Sequence, residues 1–156
     1  MKNTIIYLLL ALFAISGCKK YDEGPAISLR SKEARLCKEW KMDKLQLNGV
    51  DVTGDDDYGV TEYKKDGSVT VSYDDPEFGH IVYEAQWRFA DNKDFLEVSE
   101  LEYNGKATFE KLSPFLKHSL ETEWTRYEIL RLTSKELFLK YNIAGTNEYR
   151  IEYKAN

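Results

Sequence analysis

Two apolar patterns divide the chain. From Ile5 to Ile15 apolar residues run almost unbroken. From Trp40 onward they alternate with polar ones, the period of a half-buried strand. The alternation predicts strands over residues 40–47, 58–64, 68–73, 80–90, 95–100, 127–132, 137–142 and 148–154. In the longest, Ile81, Tyr83, Ala85, Trp87 and Phe89 share one face, and Val82, Glu84, Gln86 and Arg88 the other. In the first, the apolar positions slip phase near Asp43-Lys44, which predicts a bulge. Asn48-Gly49, Lys65-Asp66-Gly67 and Asp91-Asn92-Lys93-Asp94 read as turns, as do residues 133–136 and 144–147. Ser31 is placed to cap a short helix from Lys32 to Lys38. Leu101 to Arg126 breaks the rhythm. There a short strand at Ala107–Lys111 and a helical turn from Ser113-Pro114 are expected.

Eight short strands at regular spacing define an all-β chain, a sandwich or a barrel. The sequential hairpin connections favour an eight-stranded antiparallel up-and-down barrel, with a short N-terminal helix and one long structured loop. Its domain spans residues 31–156.

The apolar run at the start has a different meaning. Lys2 precedes it, and Ile15-Ser16-Gly17-Cys18 ends it. The run is too short for a spanning helix, which needs roughly 20 residues. Charged start, apolar middle and small-residue exit make a secretory signal. The closing cysteine resembles the lipobox of bacterial lipoproteins. That resemblance implies a signal peptide at 1–17, cleavage after Gly17, diacylglycerol and a fatty acid on Cys18, and a lipidated tether at 18–30. Lys19 stands where an aspartate would resemble an inner-membrane retention signal, so the outer membrane is the expected location. Lys19-Lys20-Tyr21-Asp22-Glu23 is similar to an acidic surface-export tag. The periplasmic and cell-surface faces both stay open, with the surface favoured.

Composition narrows the partners. The formal net charge is −5, and losing the signal removes Lys2 but no acid. An acidic domain lacks the basic footprint of a nucleic-acid binder. With Cys18 assigned to lipid, Cys37 stands alone and no intrachain disulfide forms; Leu36 and Trp40 beside it predict a small buried hydrophobe.

The residues give little chemistry. His80 and His118 lack the spacing of metal ligands and read as surface or loop residues. Asp51-Val52-Thr53-Gly54-Asp55-Asp56-Asp57 does not match a calcium-binding loop with its closing glutamate. It reads as a solvated acidic loop, and Asp74-Asp75-Pro76-Glu77 as a turn. No serine sits in a nucleophile-elbow context. The expectation is a non-enzyme with no metal and no cofactor.

Leu36 and Trp40, Tyr63-Lys64-Lys65-Asp66-Gly67-Ser68-Val69, Gln86-Trp87-Arg88-Phe89, Leu96-Glu97-Val98 and Tyr127 to Leu139 follow one another in a telling order. Over about residues 33–154 this resembles the lipocalin-like lipoproteins of Gram-negative bacteria. Lys38 stands where that family usually carries the Gly of a Gly-x-Trp. The resemblance implies a barrel just wide enough for side chains or one small apolar ligand. Two functions are then expected as alternatives. A binding module would hold a small hydrophobic or aromatic ligand against Trp40, Tyr83, Trp87 and Phe89. A structural or protein-interaction lipoprotein would have a filled core and present its loops to a partner. Trp40 is also expected to plug one barrel end.

Overall fold

The computed structural model describes residues 21, 23, 30–54, 58–76, 79–99, 102–103, 123–143 and 147–156. Helix α1 (Lys32–Leu36) is followed by strands β1 (Glu39–Leu47), β2 (Val50–Asp51), β3 (Val60–Tyr63), β4 (Ser68–Asp75) and β5 (Gly79–Ala90). Then come β6 (Phe95–Ser99), β7 (Glu102–Tyr103), β8 (Trp124–Leu132), β9 (Glu136–Ile143) and β10 (Asn147–Ala155). Eight of them form a closed antiparallel barrel in the order β1-β3-β4-β5-β6-β8-β9-β10, and β10 returns to pair with β1. The short β2 and β7 are additions, pairing with β1 and β5.

The eight strands expected of the barrel are all present, with shifted ends. β3 is shorter than expected, because the chain before it bends at Gly59, whose φ is +70. β8 begins at Trp124, three residues before the expected start, because Trp124, Thr125 and Arg126 pair with β6. The β1–β10 register shifts between Met42 and Lys44, where the apolar phase slips. β8 carries a second shift between Ile129 and Arg131. The expected strand at 107–111 and helical turn at 113 lie outside the described residues, as do Cys18, His118 and Asp55 to Asp57. Among the described residues no helix is long and apolar enough to cross a membrane.

Inward positions make one apolar core. Leu36, Trp40, Leu96, Leu132 and Leu137 are fully buried at the end where α1 sits. Ser31 caps α1, its Oγ accepting the N–H of Ala34 at 3.0 Å, and the helix stops after two turns or fewer. Buried Arg35 holds it to the barrel by donating to the Leu132 carbonyl at 2.6 Å. Trp40 donates its indole N–H to the Leu36 carbonyl at 2.8 Å. One aromatic side chain thus stitches helix to strand and seals this end, as the sequence predicts.

Two described residues of the expected tether, Tyr21 and Glu23, lie against the barrel. Tyr21 is only 4% exposed and donates its phenol O–H to the Lys93 carbonyl at 2.8 Å. Glu23 donates its N–H to the Leu130 carbonyl at 3.0 Å. Leu130 is the extra residue of the β8 irregularity, so the unpaired carbonyl there finds its partner in the N-terminal segment.

Candidate functional site

Period-2 alternation sends Tyr63, Tyr127, Tyr141 and Tyr153 inward from β3, β8, β9 and β10, and all four are buried. β8, β9 and β10 lie side by side, and barrel closure through β1 brings β3 round to join them. Tyr127 and Tyr141 meet edge to face with centroids 5.2 Å apart. Burial first, and the neighbouring phenols of Tyr153 and Tyr127 second, push ionisation of Tyr63 well up. The same order of causes raises Tyr141, where Tyr127, Tyr149 and Tyr153 are the neighbours. Tyr153 is raised by burial and by Tyr127, against a hydrogen bond with Thr61. At neutral pH Tyr63, Tyr141 and Tyr153 are therefore uncharged. They place O–H groups among apolar walls, together with buried Thr61 and Thr125. A few convergent polar groups in an apolar enclosure are what orients a small ligand. Neutral phenols would meet a hydrogen-bond acceptor, while ring faces would meet flat or apolar surface.

The barrel end opposite α1 is rich in half-buried tyrosine. Tyr58, Tyr73 and Tyr149 pack against the core there with Val71 and Ile143. Tyr141 stacks on Tyr149 at 4.9 Å, and Tyr73 on Tyr83 at 6.3 Å.

Sequence reasoning selects Trp40, Tyr83, Trp87 and Phe89, and these do not form one site. Trp40 belongs to the sealed end. Trp87 donates its indole N–H to the Lys64 carbonyl at 2.8 Å and meets Tyr63 edge to face at 6.0 Å. Phe89 is half-buried, 5.4 Å from Trp87, and 5.5 Å from the Lys93 ammonium. Tyr83 lies in the other half of the barrel. With both indole N–H groups satisfied by backbone, Trp40 and Trp87 act as wall. The four-phenol cluster is what sequence reasoning misses. Its signal is present, since each of the four tyrosines shares an inward face with Thr61, Ile129, Leu139 or Ile151.

The remaining candidates carry little. His80 is exposed and lies 2.8 Å from the Asp74 carboxylate. Cys37 is half-buried rather than fully buried, because it caps α1 at the barrel's edge; burial, then Glu33, raises its thiol. Exposed Asp51 accepts the Thr53 N–H at 3.0 Å. No group of three or more His, Cys, Asp or Glu able to hold a metal occurs among the described residues. An open groove of about 660 Å³ lies outside the α1 end, lined by Thr133, Ser134, Lys135, Glu136, Lys154 and Ala155. None of these belongs to either aromatic set.

Closed topology, eight antiparallel strands and a capped end define a lipocalin-like barrel. Two solved structures are similar in fold. A lipocalin-like protein from Bacteroides uniformis aligns with TM-score 0.55 at 12% identity, over 78% of this chain and 99% of that one. An uncharacterized protein from Bacteroides eggerthii aligns with TM-score 0.53 at 15% identity, over the same shares. No family model matches the sequence, and no curated protein matches it.

Proposed function

We propose that this chain is an outer-membrane lipoprotein, lipidated at Cys18, whose barrel holds a small hydrophobic or aromatic ligand with a hydrogen-bond acceptor. The barrel catalyses no reaction and needs no cofactor in this reading. One observation carries it: Tyr63, Tyr127, Tyr141 and Tyr153 gather inside an apolar barrel sealed at one end by Trp40 and α1. The half-buried tyrosines at the other end offer a route in. The lipobox at Ile15–Cys18 supports the anchor, and Lys19 after it supports the outer membrane over the inner one.

The test is native mass spectrometry of protein extracted gently from its own membrane. The expected result is a retained small molecule that the Tyr127→Phe/Tyr153→Phe variant loses while keeping its fold. Protein of bare mass in both samples overturns ligand binding. The packing of Leu36, Trp40, Leu96, Leu132 and Leu137 would then favour the second reading, a filled barrel that presents its loops to a protein partner.

A further inference from the structure

The N-terminal segment limits how the barrel can stand on a membrane. We propose that the α1 end rests on the anionic phospholipid leaflet that carries the Cys18 lipid, so the tyrosine-rich end points away from it. This rests on the lipoprotein reading above and adds an orientation to it.

The first argument is reach. Glu23 is fixed on the barrel wall by Leu130 and by Arg131, which donates to the Glu23 carbonyl at 2.9 Å. Two residues earlier, Tyr21 is buried against the Asp91–Asp94 turn, its phenol on the Lys93 carbonyl. The Lys32 ammonium lies 4.8 Å from its ring centroid. That turn joins β5 to β6 at the α1 end. Cys18 precedes Tyr21 by three peptide units, and three units span at most about 11 Å. A lipid on Cys18 must therefore enter its leaflet close to this turn. β5 is twelve residues long, so the opposite end stands about 30 Å away along a tilted strand. A chain of that length cannot bring the lipid there while Tyr21 stays seated.

The second argument is charge. Counting helix, turns and the last two residues of each bordering strand, the α1 end carries Lys32, Arg35, Lys38, Lys64, Lys65, Lys93, Arg131, Lys135 and Lys154 against Glu33, Glu39, Glu62, Asp66, Asp91, Asp94 and Glu136. Counted in the same way, the other end carries Asp51, Asp74, Asp75 and Glu148, with the Lys44 ammonium reaching within 3.5 Å of Asp51. An acidic domain thus has one basic pole, and that pole adjoins the anchor. Basic groups near an anionic leaflet are attracted to it, and acidic ones are repelled.

The test uses the full-length acylated protein in vesicles of phosphatidylethanolamine and phosphatidylglycerol. A fraction of the lipid carries a nitroxide on its headgroup. In a Cys37→Ala background, a fluorophore is placed at Ser134→Cys, beside α1, or at Val50→Cys, in the 64%-exposed position of the far hairpin. The expected result is loss of fluorescence at residue 134 and none at residue 50. A long Gly/Ser insertion between Lys20 and Tyr21 should reduce the loss. Equal quenching at both positions, or stronger quenching at residue 50, overturns the orientation. Mass spectrometry of the same sample separates the two claims. Lipidated Cys18 with uniform quenching defeats the orientation alone, whereas unmodified Cys18 defeats anchor and orientation together.

Discussion

Glu23 and Arg150 meet fork to fork. Arg150 donates from both terminal nitrogens to the two carboxylate oxygens, at 2.6 and 2.8 Å. The pair ties the N-terminal segment to β10. Hydrogen bonding from Arg150 holds the Glu23 carboxyl below its ordinary value of 4.5. A depressed acid stabilises the fold above its unfolded value, and that contribution disappears as pH falls through the folded value. Glu23→Gln should therefore lower the melting temperature at pH 7 and have less effect at about pH 3. The side chains are 38% and 27% exposed, so solvent screening keeps the loss to about 1 kcal/mol or less. Thermal melts of both proteins at the two pH values check this.

Gly59 should tolerate no side chain. Its φ is +70, and a Cβ there would overlap the carbonyl of Ser72 and lie 2.7 Å from the Tyr73 Cβ. Gly49 has a similar φ, +79, but open space around it. Gly49→Ala should cost only the left-handed penalty, about 1 kcal/mol. Gly59→Ala should cost at least about 2 kcal/mol. Urea midpoints of the two variants isolate the close approach from the backbone conformation.

Trp40 is wholly buried, and its indole is bonded to Leu36. Trp40→Ala should cost about 3–5 kcal/mol through the cavity it leaves. Trp40→Phe restores part of the volume but strands the Leu36 carbonyl, a further loss of about 1 kcal/mol. Urea denaturation should rank wild type above Phe and Phe above Ala.

The buried phenols predict an alkaline transition. Burial raises Tyr21, Tyr63, Tyr141 and Tyr153 above the ordinary tyrosine value of 10.0. A raised value contributes stability that is complete below the unfolded value and is lost as pH rises through the folded one. Tyrosinate absorbance from this set should therefore appear only together with loss of the fold, read by circular dichroism on the same samples. Tyr63→Phe should reduce that absorbance step.

The sequence carries the barrel clearly because a strand writes its inward face into every second residue. Ile81, Tyr83, Ala85 and Trp87 are buried as the alternation requires, and the phase slip beside Asp43 marks a register shift. The bond of Ser31 to Ala34 is equally local. Convergence across the barrel is not local. Nothing near Tyr63 announces Tyr127 or Tyr153, because only closure brings those strands together. Tyr21 and Glu23 look like solvated tether for the same reason: their partners, Lys93, Leu130 and Arg150, lie far along the chain. The aromatic stripe on β5 stands out by density. Density there reflects wall packing, and Trp87 spends its polar atom on Lys64.

The seam between β1 and β10 sets when the molecule can finish folding. β1 pairs with β10 from Trp40 opposite Ala155 to Leu47 opposite Tyr149. Until β10 docks, β1 and β9 present bare edges, open to any other strand. The last ladder to form also spans the greatest sequence separation, which slows closure. A chain emerging N-terminus first therefore holds an unfinished, self-adhesive sheet until Asn147–Ala155 is released. Loss of β10 alone should turn a discrete barrel into an aggregating one.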